Sequence, residues 1–193
     1  MLSINEKYKA IVIGTSAGGL FALSVILERL PADYPLPVIV VQHRSKDQKN
    51  LLEEVLQSKC KIRIKQADEK ENIEPGFVYI APPDYHLLVE AVKTFSLSSD
   101  EPVNFSRPSI DVLFETAAMV FKDTLIGIIL TGTNSDGASG IVAVNKYGGL
   151  TIAQNPDEAQ FSFMPEAAIK TNSIKHTWTL SEIQDFLSKI TDA

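Results

Sequence analysis

The chain has 193 residues, of which 45% are hydrophobic and 22% are charged, a composition typical of a globular protein with one domain over residues 1–193. Its longest apolar runs, such as 10–13 and 37–41, fall well short of the roughly 20 residues of a membrane helix, which argues against membrane insertion. The net charge of −6, with no basic stripe interleaved with aromatic side chains, argues against nucleic acid as a partner.

The N-terminus and the cysteine content indicate a reducing compartment. The first residues, MLSINEKYK, lack the basic start and long apolar region of a secretory signal. Cys60 is the single cysteine, so neither a disulfide framework nor a cluster of thiolate metal ligands is expected. We therefore expect a cytoplasmic protein in which Cys60 is an unreactive structural thiol.

Short apolar runs rich in β-branched residues predict strands along most of the chain. The runs at 38–42 (VIVVQ) and 125–130 (LIGIIL) are apolar almost throughout, as in strands of a parallel sheet that is covered on both faces. In chain order, strands are expected at 8–13, 38–42, 62–64, 77–80, 86–89, 94–97, 125–130 and 150–153.

Helical spacing of apolar residues predicts helices between these strands. Ser45 with Gln48 marks the start of the second helix, and Thr179 with Glu182 marks the start of the last one as a capping box. In chain order, helices are expected at 18–30, 45–56, 109–121 and 138–146, then as short helices opening near Pro156 and Pro165, and finally from Thr179 to Ile190.

The alternation of strands and helices predicts an α/β fold with three layers, α/β/α, around a mostly parallel sheet. The close spacing of the strands at 86–89 and 94–97 predicts a short antiparallel excursion. In such folds ligands bind at the carboxyl ends of the parallel strands.

Polar side chains follow three of the predicted strands at these ends. The first strand runs into GTSAGG at 14–19, the second into QHR at 42–44, and the strand at 125–130 into TGTNSDG at 131–137. If these strands are neighbours, Ser16, His43 and Asp136 meet at one edge of the sheet. A hydroxyl, an imidazole and a carboxylate are the groups required for nucleophilic acyl transfer.

The residues around the serine fit the same interpretation. Ala17 and Gly18 are small enough to admit a substrate closely, and the helix that follows offers N-terminal amides to an oxyanion. The backbone amide of Thr133 is expected to be a second donor. The three residues Ala17, Gly18 and Thr133 are therefore predicted to bind the substrate oxyanion.

Other interpretations of the glycine-rich turn fit less well. A dinucleotide site needs G-x-G-x-x-G and an acidic residue at the end of the second strand, but Ser16 occupies the middle glycine position and His43 ends that strand. A P-loop needs a Gly-Lys-Ser/Thr that is missing here. Ser16 as a helix cap and Asp136 as a turn former are structural interpretations that remain compatible with catalysis.

The other histidines are expected to be structural. His86 could line the same site, but a half-buried strand position is favoured, and His176 beside Trp178 is interpreted in the same way. Asp84 with His86 supplies at most two metal ligands where a site needs three or four, so no metal is expected.

Six blocks spread over nearly the whole chain form a recognisable set: IVIGTSAGG at 11–19, VVQHRS at 40–45, VYIAPPDYHLLV at 78–89, RPSIDVLF at 107–114, ILTGTNSDGASG at 129–140 and IAQNPDEAQFSFMPEAAI at 152–169. In this order they resemble the catalytic domain of CheB-type chemotaxis protein-glutamate methylesterases. The resemblance implies Ser16 as nucleophile, His43 as general base and Asp136 as the orienting acid. It also implies hydrolysis of glutamate methyl esters on the cytoplasmic domain of methylated chemoreceptors, with release of methanol, deamidation of glutamine in some members, and no cofactor.

Three features depart from the pattern expected of this family. The first predicted strand begins within ten residues of Met1, so we expect neither a preceding receiver domain nor phosphorylation control in the same chain. Ala17 stands where threonine is common, and Thr133 stands where methionine is frequent. These departures affect the expected substrate rather than the three catalytic residues. The alternative is a non-catalytic or regulatory partner-binding domain, and the intact Ser16, His43 and Asp136 favour the enzyme.

Overall fold

The computed structural model describes residues 7–44 and 51–190. Within these ranges a seven-stranded sheet has all of its neighbouring strands parallel, in the order β3-β4-β2-β1-β7-β8-β9, and β5 pairs with β6 as a separate antiparallel ribbon. The strands are β1 Ala10–Thr15, β2 Val38–Gln42, β3 Arg63–Gln66, β4 Phe77–Ile80, β5 His86–Val89, β6 Phe95–Ser98, β7 Leu125–Ile129, β8 Leu150–Gln154 and β9 His176–Trp178.

The helices pack on both faces of this sheet. Buried side chains of α1, α2 and α6 join one hydrophobic core, while those of α3, α4 and α5, together with the β5-β6 ribbon, join the other. These helices are α1 Gly19–Leu27, α2 Leu51–Gln57, α3 Ile110–Phe121, α4 Ala138–Lys146, α5 Phe163–Lys170 and α6 Leu180–Ser188, and a short 3₁₀ turn at Lys122–Thr124 follows α3. None of the described helices is long and apolar enough to cross a membrane.

The predicted α/β fold of three layers is confirmed. The strands β1, β2 and β7 are buried along their whole length because helices cover both faces, which is why their sequences are apolar without alternation. The antiparallel excursion is the β5-β6 ribbon, and Thr179 and Glu182 form the expected capping box at the start of α6. The predicted start of the second helix at Ser45 and Gln48 lies outside the described residues.

Three local predictions are wrong. Pro156 lies in a single turn in which the Ala159 N–H bonds the Asn155 carbonyl, and no helix continues from it. The edge strand β9 at His176–Trp178 was missed because it is only three residues long and none of its residues is fully buried, so it has no apolar run. The first helix, expected over 18–30, is shorter than predicted, because α1 ends at Leu27 and a turn at 28–29 precedes Pro31.

The topology brings three strand ends together. β1 lies between β2 and β7, with Thr15 opposite Gln42 and Gly14 opposite Ile129. The segments that leave the carboxyl ends of these three strands therefore meet in the middle of the sheet edge. They carry Ser16, His43 and Asp136.

Candidate active site

Ser16 and His43 face a common cleft of about 630 Å³ at the carboxyl edge of the sheet. Asn134 completes this side of the cleft, while Asp136 lies beneath it and is 1% exposed. The structure thus brings the three residues predicted from the sequence to one place. Ser16 and His43 line the cavity and Asp136 supports it from the protein interior.

His43 and Asp136 are in direct contact. Asp136 Oδ2 lies 2.8 Å from His43 Nε2, and the imidazole is mostly buried, with 13% of its side chain exposed. An ionised carboxylate only accepts hydrogen bonds, so the proton of the neutral imidazole is held on Nε2. The lone pair is then on Nδ1, where the Asn134 side-chain amide donates to it over 3.4 Å.

The N-terminus of α3 stabilises the charge of Asp136. Burial by itself raises the pKa of this carboxyl, but hydrogen bonds from His43, from the Ile110 amide (2.7 Å) and from the Ser109 hydroxyl (2.8 Å) outweigh it. The net effect is a pKa below the usual value, because each of these donors favours the ionised form. Asp136 is therefore an anion at neutral pH, as a group that orients an imidazole must be.

Backbone hydrogen bonds hold Ser16 in place, so its side-chain hydroxyl is not needed to fix the turn. The Ser16 amide donates to the Thr131 carbonyl, and the Gly19 amide donates to the Ser16 carbonyl. Gly18 turns the chain into α1 with a φ of 80°. Within the described residues Ser16 Oγ makes no hydrogen bond, so the hydroxyl lies in the same cleft as His43 without yet contacting it. Catalytic hydrogen bonds are commonly long or open before the substrate is bound.

Gln42 connects the serine turn to the histidine. Its side-chain Nε2 donates to the Ser16 carbonyl at 2.8 Å and to the His43 carbonyl at 2.9 Å. A Cβ on Gly19 would lie 1.9 Å from Gln42 Oε1, so glycine is required there for the two segments to approach. Sequence reasoning missed this role, although Gln42 is the polar end of an otherwise apolar strand.

Two segments offer backbone amides beside the serine. Ala17 and Gly18 line a second cleft, of about 490 Å³, together with Ser16 and His43. A Cβ on Gly132 would lie 3.0 Å from Ser16 Cβ, so the chain just before Thr133 packs against the serine. Across residues 7–44 and 51–190, the amides of Ala17, Gly18 and Thr133 have no hydrogen-bond acceptor.

The other candidate residues occupy structural positions. His86 is 2% exposed, accepts a hydrogen bond from the Ser109 amide at Nδ1, and contacts the Glu101 carbonyl through Nε2, so it is more deeply buried than expected. Asp84 Oδ1 lies 2.6 Å from Arg107 Nη2. Burial, aided by the charge of Glu28, raises the pKa of the Cys60 thiol to about 11, in line with an unreactive cysteine.

The side chain of Arg44, the residue after His43, is tied to α2. Its guanidinium forms a two-bond pair with Glu53 at 2.8 and 3.0 Å, and it also bonds the Ala81 carbonyl. Only 3% of its side chain is exposed, and it lines the cleft beside Ser16 and His43. Arg44 therefore anchors the end of β2 to α2.

The family model of CheB methylesterase matches residues 11–187 of this chain. The chain belongs to the CheB methylesterase family. Its fold matches the crystal structure of the Thermotoga maritima CheB methylesterase catalytic domain with a TM-score of 0.91 and 34% identity, over 95% of this chain and 99% of that one. The family resemblance identified from the six sequence blocks is thereby confirmed.

This chain aligns with nearly the whole length of one relative and with about half the length of another. A Leptospira interrogans protein named putative protein-glutamate methylesterase/protein-glutamine glutaminase is 49% identical over 184 residues, which is 95% of both chains. An Archaeoglobus fulgidus protein-glutamate methylesterase/protein-glutamine glutaminase is 38% identical over 182 residues. That alignment covers 93% of this chain but 52% of the relative, so the chain spans about half the length of that longer protein.

Proposed function

We propose that this protein hydrolyses the γ-methyl esters of glutamate side chains on the cytoplasmic helices of chemoreceptors. The observation that carries the proposal is the His43–Asp136 hydrogen bond at the back of a cleft that also contains the free hydroxyl of Ser16. Membership of the CheB methylesterase family and the names of its relatives support the substrate class. The reaction then takes place in the cytoplasm, where those helices lie.

The first half of the reaction forms an acyl-enzyme. Ser16 Oγ attacks the ester carbonyl carbon while His43 Nδ1 takes the hydroxyl proton, and the Nε2 proton stays in its hydrogen bond to Asp136. Before this transfer the Asn134 side-chain amide must move away from His43 Nδ1, and its long 3.4 Å contact allows that movement. The tetrahedral intermediate collapses with loss of methoxide, which leaves as methanol after it receives the proton from His43.

The second half of the reaction releases the product. Water attacks the glutamyl ester on Ser16 and gives up one proton to His43, and the intermediate collapses as His43 returns that proton to Ser16; the glutamic acid released loses its remaining proton to solvent and becomes a carboxylate. A glutamine side chain would follow the same course with ammonia as the leaving group. The names of these relatives, which include protein-glutamine glutaminase, support that second substrate.

Unpaired amides serve as donors to the developing oxyanion. Ala17 and Gly18 come from the turn before α1, and Thr133 comes from the loop after β7, so donors approach from two sides of Ser16. Removing one donor of this kind typically costs about 100-fold or more in kcat. Backbone donors also make the side chain at position 17 dispensable, so Ala17 in place of threonine is compatible with activity.

The proposal is tested by methanol release from a methylated receptor cytoplasmic fragment. Purified protein is compared with its Ser16→Ala variant and with Ser58→Ala, a control in which the altered hydroxyl bonds the Val55 carbonyl in an exposed turn. We expect methanol from the wild type and from Ser58→Ala, and none above background from Ser16→Ala. Equal rates for all three proteins would reject Ser16 as the nucleophile, and no release by folded wild type would favour a partner-binding role.

A further inference from the structure

Near His43, Asp136 caps the helix that contains Asp111, and Asp111 caps the helix that follows Asp136. Asp136, in the loop before α4, accepts hydrogen bonds from the Ile110 and Asp111 amides at the start of α3. Asp111, in the first turn of α3, accepts hydrogen bonds from the Gly137 amide at 2.9 Å and from the Gly140 amide at 2.7 Å at the start of α4. Each helix thus has its N-terminal amides satisfied by a carboxylate from the other segment.

The two carboxylates also share a donor. Asn104 Nδ2 lies 2.8 Å from Asp111 Oδ2 and 3.4 Å from Asp136 Oδ1. Asp111 is 5% exposed and lines neither cleft, and its side chain bonds the two glycine amides and Asn104 rather than His43. The Asp111 carboxylate therefore acts on the catalytic side chains only through these neighbours.

The residue next to Asp136 is fixed by Asp111. Gly137 follows Asp136 directly, and its amide is held by Asp111 Oδ1. A Cβ on Gly137 would lie 2.8 Å from Ile110 Cγ2, which shows how closely the loop approaches α3. A shift of this loop would move Asp136 Oδ2 relative to His43 Nε2, the contact on which the imidazole depends.

We propose that Asp111 is a positioning residue that holds the Asp136 carboxylate in place for His43. The inference rests on the proposed function, since it concerns the same three catalytic residues. Burial and the nearby charge of Asp136 raise the pKa of Asp111 above its usual value, although the bonds from Gly140 and Gly137 lower it in part. A buried acid beside another buried acid is unfavourable unless its hydrogen bonds compensate for it.

Three variants separate positioning from simple stability. Asp111→Asn keeps a carbonyl that can accept from Gly137 and Gly140, whereas Asp111→Ala removes both bonds. Thr179→Ala removes the N-cap of α6, after the edge strand β9, and serves as the control for loss of a helix cap. Unfolding temperature, kcat and KM for methanol release are measured at a temperature where every variant is folded.

We expect kcat to fall by about 100-fold in Asp111→Ala and by less in Asp111→Asn, with KM unchanged within about twofold, because misplacing one catalytic group has costs of this size. Thr179→Ala should lose stability and keep its kcat. An unchanged kcat in both Asp111 variants would overturn the inference. A loss of kcat in Thr179→Ala as large as the loss in the Asp111 variants would also overturn it. If Asp111→Ala does not fold, Asp111→Asn decides: its NH₂ group replaces Oδ2 and cannot accept from Asn104, the donor shared with Asp136, so kcat should still fall, and an unchanged kcat overturns the inference. Wild-type protein in the same assay keeps the two proposals apart: no methanol from the folded wild type rejects the proposed function, whereas unchanged kcat in the Asp111 variants of an active enzyme rejects only the positioning role.

Discussion

Replacing Asp136 with asparagine tests the orientation of the catalytic imidazole while keeping the shape of the side chain. The carboxylate accepts hydrogen bonds from His43 and Ile110 at Oδ2, and from Ser109, Asn104 and the Asp111 amide at Oδ1. An amide has only one acceptor oxygen. The orientation that loses fewest bonds places the oxygen among the three donors at Oδ1 and the NH₂ group toward His43 and Ile110.

In that orientation the donor and acceptor nitrogens of the His43 ring change places. The asparagine NH₂ donates to His43 Nε2, so the ring proton moves to Nδ1 and the base has no lone pair for Ser16. By analogy with the wrong-tautomer effect in the Ser-His-Asp triad of the serine proteases, kcat should fall about 10⁴-fold. The Ile110 amide loses its acceptor in a buried position, which should lower the free energy of unfolding by about 1–3 kcal/mol.

Methanol release and thermal unfolding are measured side by side for wild type and Asp136→Asn. The reasoning predicts a folded variant that is modestly less stable and almost inactive at every pH between 6 and 9. Activity within about tenfold of wild type would refute it, since the tautomer effect alone is far larger. A large loss of stability with normal activity in the folded fraction would show that Asp136 is structural only.

Three further predictions follow from particular contacts. The lowered pKa of Asp136 adds stability that is complete above about pH 4 and is lost as pH falls through the folded-state value, so acidification below pH 4 should destabilise wild type more than Asp136→Asn in denaturant titrations. Gly19→Ala would drive a Cβ into Gln42 Oε1 and should reduce kcat strongly; a wild-type rate would show that the two segments can separate freely. Cys60, with its raised pKa, should react with iodoacetamide at pH 8 only after unfolding, and rapid labelling of the native protein would contradict its burial.

The fold could be predicted because its signals are local. Continuous apolar strands such as Val38–Gln42 and a capping box such as that of Thr179 depend only on residues that are close in the sequence, and both are present in the structure. The convergence of Ser16, His43 and Asp136 at one edge of the sheet could also be predicted, since polar groups at the ends of parallel strands meet once those strands are neighbours. Strand β9 could not be predicted, because an edge strand of three residues has neither a buried apolar run nor an alternating pattern.

The supporting contacts of the site could not be predicted from local pattern. Gln42 bonds the Ser16 carbonyl across 26 positions, and Asp111 bonds Gly137 across the same separation. Each looks ordinary in its own segment: a polar strand end and an acid in the first turn of a helix. The pair between Arg44 and Glu53 likewise joins the end of β2 to α2, and no local pattern links those two residues.

The central claim is acyl transfer through Ser16 to water, and isotope-labelled water tests it most directly. Methylated receptor fragment is incubated with the protein in oxygen-labelled water, and the fragment and the methanol are analysed by mass spectrometry. The account predicts that each demethylated glutamate gains one labelled oxygen, that the methanol gains none, and that Ser16→Ala yields neither product. Label in the methanol, or demethylation by Ser16→Ala, would contradict it.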